Sequence, residues 1–369
     1  MLRNARVAGL TLIAAWIAAG QVRNPLPVPP IPGYITLKAE FHIHTVFSDG
    51  FVWPTTRVQE AWRDGLDVIS ITDHLEYQRF KDYIKPDPGR SYKIAKDLAD
   101  ELGILLVPGV EITKHFPTYP AHFTALFVTD AAGVFADDLQ ESLRRAKAQG
   151  AFVVWNHPGW SVDKAEWFPA IAKAYDEGLF QGLEIGNQNH FYPEAWPWIA
   201  EKKLAPFATG DWHDPVEPKE LAGVRPITLV FAKTADLPGV KEALFARRTA
   251  AWMSGQVWGA EEYLQALWSA SIRIQNPVLH ARNGNTEILF RLKNSSAFPF
   301  RYKFHNKPAW LRVDDGMIGP ETLSLFKPAL MHAPPGTHKF NLELEITNFH
   351  VAPGRNLVVS VPLEITVPE

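Results

Sequence analysis

From residue 36 to about 270, stretches with helical periodicity alternate with short apolar runs that read as strands. Arg57–Asp64 carries Val58, Ala61 and Trp62 at helical spacing, Gly65 supplies the stop, and Leu66–Ile71 is a strand-like run ending at Thr72-Asp73-His74. Ser91–Leu102 repeats the pattern: a helix stopped by Gly103, then Ile104–Val107, leading through Pro108-Gly109 into Val110-Glu111. Leu139, Leu143 and Ala146 share a face of another helix that ends at Gly150, and Ala151–Trp155 runs into Asn156-His157-Pro158. Leu183-Glu184-Ile185 precedes Gly186-Asn187, and Pro206–Thr209 precedes Gly210-Asp211-Trp212-His213. Helix, glycine, short strand, polar cluster predicts α/β architecture with a parallel sheet. Polar groups at the ends of at least five successive strands favour a TIM-like barrel. An open doubly wound sheet would concentrate its ligands near one switch point.

Beyond residue 270 the period changes to two. Ser271–Leu279, Thr286–Lys293, Phe300–Phe304, Lys339–Ile346 and Leu357–Val367 alternate apolar and polar residues, separated by Asn-Gly and Pro-Gly turn signals. Residues 271–369 therefore read as a small all-β sandwich following a barrel over residues 36–270. His280, His305, His332, His338 and His350 fall in this region with no close carboxylate partner and read as surface or turn histidines.

Composition narrows the class. An apolar fraction of 46%, thirteen tryptophans and only 21% charged residues support a soluble globular protein, and a formal charge of −3 gives no reason to expect bulk nucleic acid as a partner. A small anionic substrate is compatible, because bound cations reverse a local potential. Residues 1–20 have the layout of a secretory signal: Arg3 and Arg6, an apolar stretch Val7–Ala19, then small residues. Residues 21–35 follow as a tether, with five prolines between Asn24 and Gly33. Export would place the chain in the periplasm or outside the cell, with no stable membrane insertion after signal removal, and zero cysteines means that no disulfide supports it.

The chemistry concentrates in nine residues: His42, His44, Asp49, His74, Glu111, His122, His157, Asp211 and His213. His42-Ile43-His44 alternates, so on extended backbone both imidazoles share a face and can bind one ion. Imidazoles and carboxylates repeatedly placed at strand ends, with no cysteine and no Gly-x-Ser-x-Gly elbow, point to metal-activated water as the attacking group.

These motifs resemble those of the polymerase and histidinol phosphatase (PHP) superfamily, over about residues 36 to 260 and in that superfamily's order. The resemblance implies a distorted (β/α)7 barrel whose trinuclear centre hydrolyses phosphate esters through a metal-bridging hydroxide. It assigns His42, His44, Glu111 and Asp211 to one ion, and lets Glu111 bridge to a second held with His122 and His157. Asp49, His74 and His213 fall to the third. Asp49 stands where many members have histidine; His115 competes with His122, whose spacing from Glu111 is the better fit. Three divalent ions are implied, zinc, manganese or iron by the mixed imidazole and carboxylate set. Asn187, His190, Tyr192 and Pro193-Glu194-Ala195, with the β-rich tail, resemble a narrower group of bacterial PHP phosphodiesterases carrying a β-sandwich extension. That implies a phosphodiesterase acting on small organic phosphodiesters, with Glu111 and Asp211 central to catalysis and a protonated His190 assisting the leaving group. Lys114 and Arg225 are candidates for phosphoryl contact, Trp160 and Trp212 for apolar walls, and Asn156 and Asn187 for supporting hydrogen bonds. The alternatives are a phosphomonoesterase acting on nucleotides or sugars, and a non-catalytic metal-binding scaffold.

Overall fold

The structure, a computed structural model, describes residues 22–217, 225–281 and 288–369. The segment read as a signal, residues 1–20, lies outside them. β1 (Ile35–Glu40), α1 (Pro54–Arg63), β2 (Val68–Ile69), α2 (Arg90–Leu102) and β3 (Leu105–Leu106) follow the expected strand–helix alternation. α1 begins at Pro54, where a missing N–H costs no helical hydrogen bond, and α2 stops at Gly103 with a φ of 67°. β1, β2 and β3 pair in parallel, and the buried Val68 and Ile69 of β2 lie between the other two strands.

β4 (Gly109–His115) and β5 (Pro120–Leu126) break the alternation. Only four residues separate them, too few for a helical crossover, so they form an antiparallel hairpin with Thr113 opposite His122. α3 (Ala131–Val134) and α4 (Leu139–Ala148) lead to β6 (Phe152–Trp155), antiparallel to β5. After α5 (Pro169–Asp176) come β7 (Gly182–Asn187), the short β8 (His190–Phe191), α6 (Ala195–Lys202) and β9 (Ala205–Thr209), and β6, β7 and β9 are parallel neighbours. The sheet is thus mixed rather than parallel throughout, because short connections at β4–β5 permit only the antiparallel arrangement.

β10 (Ile227–Ala232), α7 (Leu237–Phe245), β11 (Thr249–Met253), β12 (Gln256–Gly259) and α8 (Glu261–Ser271) complete this part. β10 pairs antiparallel with β1 on one side and with β11 on the other. The sheet of β1–β3 meets the sheet of β4–β9 at a parallel bridge between His74 and Glu111, and at Thr228 of β10, whose hydroxyl donates to Ala208 O of β9 at 2.9 Å. Residues following β1, β2, β6 and β9 therefore gather at one end.

After α8 every described element is a strand. The strands Gly336–Ala352 and Arg355–Val367 form a long antiparallel pair, and Val257 and Trp258 of β12 pair in parallel with Phe349 and His350 of the first. The sheet that carries β1 consequently runs on into the C-terminal region. Trp252 and Trp268 share a hydrophobic core there with Phe298, Phe300, Phe349 and Leu357. Among the described residues, no helix is long and apolar enough to cross a membrane.

Candidate metal centre

His42 and His44 lie just past β1 on extended chain. Between them, buried Ile43 forms a parallel bridge with Trp212, and His44 N donates to Trp212 O at 3.0 Å, which fastens the segment after β1 to the segment after β9. Asp49 projects from the next turn. Asp73 holds that turn: its carboxylate accepts from Thr45 N, Thr45 Oγ1 and Ser48 Oγ, each at 2.7 Å. A Cβ on Gly50 would lie 2.7 Å from the His44 backbone, so the tight return of the turn requires glycine. His74 follows β2, Glu111 comes from β4 and His122 from β5, on the same face because Thr113 is the residue opposite His122. His157 follows β6 with φ at 25°, and Asp211 follows β9 with φ at 47°, a left-handed backbone uncommon for non-glycine residues.

Folding brings all nine predicted side chains together. Their ligand atoms fall within 4.8 Å of one another in four overlapping groups: His44, Asp49, His74 and His213; His42, Glu111 and His157; His42, His44 and Asp211; His74, Glu111 and His122. Among the described residues, no other histidine, aspartate or glutamate belongs to such a group. The overlap cuts across the division implied by the sequence, since His74 joins both the Asp49 and the Glu111 groups. Glu111 faces five imidazoles: its Oε2 is 3.3 Å from His42 and His44 Nε2 and 3.0 Å from His74 Nδ1, while Oε1 is 3.2 Å from His122 Nδ1 and 3.7 Å from His157 Nε2. Asp211 Oδ1 lies 3.0 Å from His44 Nε2, and Asp49 Oδ1 3.2 Å from His213 Nε2.

The electrostatics follow from packing carboxylates in a buried place. Burial alone would push His44 down, but the adjoining Asp211 and Glu111 outweigh it and raise the imidazole to about 10. Burial also opposes the charging of His42, and Asp211, Glu111 and Glu184 drive it well above its ordinary value. Burial would raise Glu111, yet His74 and His42 hold it well below the usual carboxylate range; Asp211 is depressed likewise by His42 and His44, against its own burial. His122 differs, for burial lowers it to about 4 and keeps it neutral. The cluster demands positive charge, which protons or divalent cations can supply.

Two observations fit divalent cations. Glu111 Oε2, His44 Nε2 and His122 Nε2 are buried without a hydrogen-bond partner. Further, the outward nitrogens of three imidazoles are occupied: His42 Nδ1 by Glu184 at 2.9 Å, His213 Nδ1 by Asp211 O at 2.9 Å, and His44 Nδ1 by Ser48 Oγ at 3.3 Å, whereas His74 Nδ1 faces both Glu111 and, at 2.7 Å, Thr113 Oγ1. With the outer nitrogen tied, Nε2 is turned toward the carboxylates, the arrangement that fixes a metal-binding histidine. Asn156 steadies Glu111, donating Nδ2–H to Oε1 at 2.8 Å.

Glu184 is the residue sequence reasoning missed. Wholly buried in β7, it takes four donors: His42 Nδ1 and Thr209 Oγ1 at 2.9 and 2.5 Å on Oε1, His157 N and Asn187 Nδ2 at 2.7 and 3.0 Å on Oε2. A lone carboxylate within the apolar run Leu183–Ile185 was the available signal.

His190, Lys114, Arg225 and His115 stand outside the four groups. His190 is exposed on β8. Lys114 Nζ is engaged by Glu76 Oε1 at 2.7 Å and Ala136 O at 2.6 Å. Arg225 is buried against Asp64, with Glu40 4.0 Å away. His115 is exposed, its ring 5.8 Å from that of His122 and outside the groups. Trp160 does border the cluster, 5.1 Å from His122 between ring centroids.

The chain matches no protein-family profile. Over 94% of its length it superposes on the whole of a two-domain protein from Bacteroides vulgatus that contains a predicted PHP-like metal-dependent phosphoesterase, with a TM-score of 0.85 and 36% sequence identity. An 81-residue stretch is 35% identical to an uncharacterized protein of Methanocaldococcus jannaschii, covering 22% of this chain and 35% of that one. A 114-residue stretch is 28% identical to the 5′-3′ exoribonuclease Rnm of Salmonella typhimurium, covering 31% and 36% respectively. The chain thus spans about a third of the curated relatives it matches.

Proposed function

The chain belongs to the PHP-like metal-dependent phosphoesterases, and on that premise we propose that it is a phosphodiesterase hydrolysing small organic phosphodiesters at a trinuclear centre, within a distorted (β/α)7 barrel that a C-terminal β-sandwich extends. The observation that carries the reading is the convergence of the nine side chains around Glu111, with buried ligand atoms that no hydrogen bond satisfies. His42, His44, Glu111 and Asp211 would hold one ion, Glu111, His122 and His157 a second, and Asp49, His74 and His213 a third. Imidazole nitrogens with carboxylate oxygens, and no thiolate, suit zinc, manganese or iron. Divalent ions in such a site lower the pKa of water and neutralise charge on phosphoryl oxygens.

The chain's own residues prepare that chemistry. Glu184, Thr113 and Ser48 orient His42, His74 and His44, and Asn156 fixes the rotamer of Glu111. A leaving-group proton would have to come from water or from an exposed group such as His190. The likeness to a protein named as an exoribonuclease supports diesters over monoesters. The N-terminal layout supports export to the periplasm or beyond the cell.

The test is hydrolysis by the metal-loaded chain of bis-p-nitrophenyl phosphate, p-nitrophenyl phosphate and an RNA oligonucleotide. Preference for the bis-aryl ester is expected; preference for the monoester overturns the diesterase assignment, and preference for RNA overturns the small-molecule one. No hydrolysis with zinc, manganese or iron defeats the enzymatic reading.

A further inference from the structure

Two tryptophans among the described residues are exposed, Trp53 at 47% and Trp160 at 48%, whereas Trp155, Trp196, Trp252, Trp258 and Trp268 are all at most 9% exposed. Trp53 lies beside Phe47, 5.6 Å between ring centroids, and what sets Trp160 apart is its neighbours. Burial of apolar surface therefore does not explain its position. What it touches instead is the candidate metal centre: the indole lies 5.1 Å from the His122 ring and 5.6 Å from the His157 ring, centroid to centroid.

The loop that carries Trp160 is held. Trp160 N donates to His157 O at 2.9 Å, His157 and Ser161 have φ of 25° and 60°, and a Cβ on Gly159 would strike the Tyr192 ring at 2.8 Å. The root of the side chain is thus fixed while its ring remains open to solvent beside two proposed ligands. A large, fixed, solvent-facing aromatic at this place is suited to receive a second flat π-system, since stacking needs face area and little directional bonding.

Resting on the phosphoesterase reading, we propose that Trp160 is the specificity-determining residue of the site, stacking a planar aromatic substituent of the phosphate ester, aryl or nucleobase, at the His122–His157 end. Alkyl esters present no such face and gain nothing from it. Phenylphosphonate and methylphosphonate, which share a phosphoryl group, are titrated calorimetrically into the zinc-loaded full chain and into Trp160→Ala and Trp160→Tyr. The wild-type chain should bind the phenyl probe tighter by roughly tenfold. Trp160→Ala should lose that preference and Trp160→Tyr should keep most of it. A Trp160-dependent preference for uridine 5′-monophosphate over ribose 5-phosphate would assign a nucleobase, and a preference confined to the phenyl probe a simple aryl group. An undiminished phenyl preference in Trp160→Ala, with ester hydrolysis intact, overturns this inference alone. Binding of neither probe, with no ester hydrolysed, overturns both this inference and the phosphoesterase reading.

Discussion

The deep end of the cluster and its outer end use the same residue types but are held differently. His42, His44 and Glu111 are wholly buried, and Glu184 and Asn156 support them from behind. Asp49 and His213 have side chains 23% and 29% exposed, and His213 Nδ1 is held by a backbone carbonyl, that of Asp211, rather than by a buried carboxylate. The difference matters because a buried carboxylate without compensating charge costs several kcal/mol, whereas a half-open one falls back on water. The deep end must therefore hold protons or cations at all times. Cations should bind there most tightly and leave the outer end first.

The comparison breaks most severely at Glu111, a deep residue that also reaches the outer set through His74, 3.0 Å away. Glu111→Gln should release metal from both ends and remove several kcal/mol of transition-state stabilisation, roughly a thousandfold in rate; metal analysis and hydrolysis of bis-p-nitrophenyl phosphate read both. Glu184→Gln tests the deep end alone. All four neighbours of Glu184 are positioned as donors, so an amide N–H2 would face at least one of them. We expect about 10- to 100-fold weaker binding of the deep ions in competition with a chelator, and outer binding little altered. Asp49→Asn should do the reverse and more gently, weakening one outer equivalent by about tenfold.

Titration sharpens the same contrast. In chelated protein, His44 is raised from its ordinary 6.5 to about 10, so its contribution to stability is complete below pH 6.5 and disappears as pH climbs through about 10. The melting temperature of the chelated protein should decline across that window, and loading with metal should flatten the decline, because a cation then does the work of the proton. The smallest effect is expected at Lys114, where alanine should cost about 1 kcal/mol or less through loss of the Glu76 pair, with metal content unchanged.

Much of the site was legible because its residues sit in short motifs. His42-Ile43-His44, Asp73-His74 and Asp211-Trp212-His213 follow apolar runs, and a strand end is where a polar side chain can face a shared mouth. Glu184 was not legible in that way. It lies inside a strand, and its value appears only when β7 brings it to His42, 142 positions away in the chain. Asp73 stands in the motif Thr72-Asp73-His74 but outside the nine, and its part appears only in the fold, where it ties the turn that aims Asp49. The helices from Arg90 and Leu139 emerged where periodicity predicted them. The β4–β5 hairpin did not, because Glu111 and His122 were read as motif residues rather than as two strands joined by four residues. The pairing of β12 with the Gly336–Ala352 strand is a contact across some ninety residues that no local pattern announces.

The central claim is that the nine side chains form one polynuclear metal site with Glu111 at its centre. Elemental analysis of the purified full chain beside Glu111→Gln tests it most directly. Three equivalents of divalent metal in the wild-type chain, and their loss with the fold intact in Glu111→Gln, are the predicted result; a wild-type chain that retains no more than one equivalent after loading, or a variant that keeps them all, would contradict it.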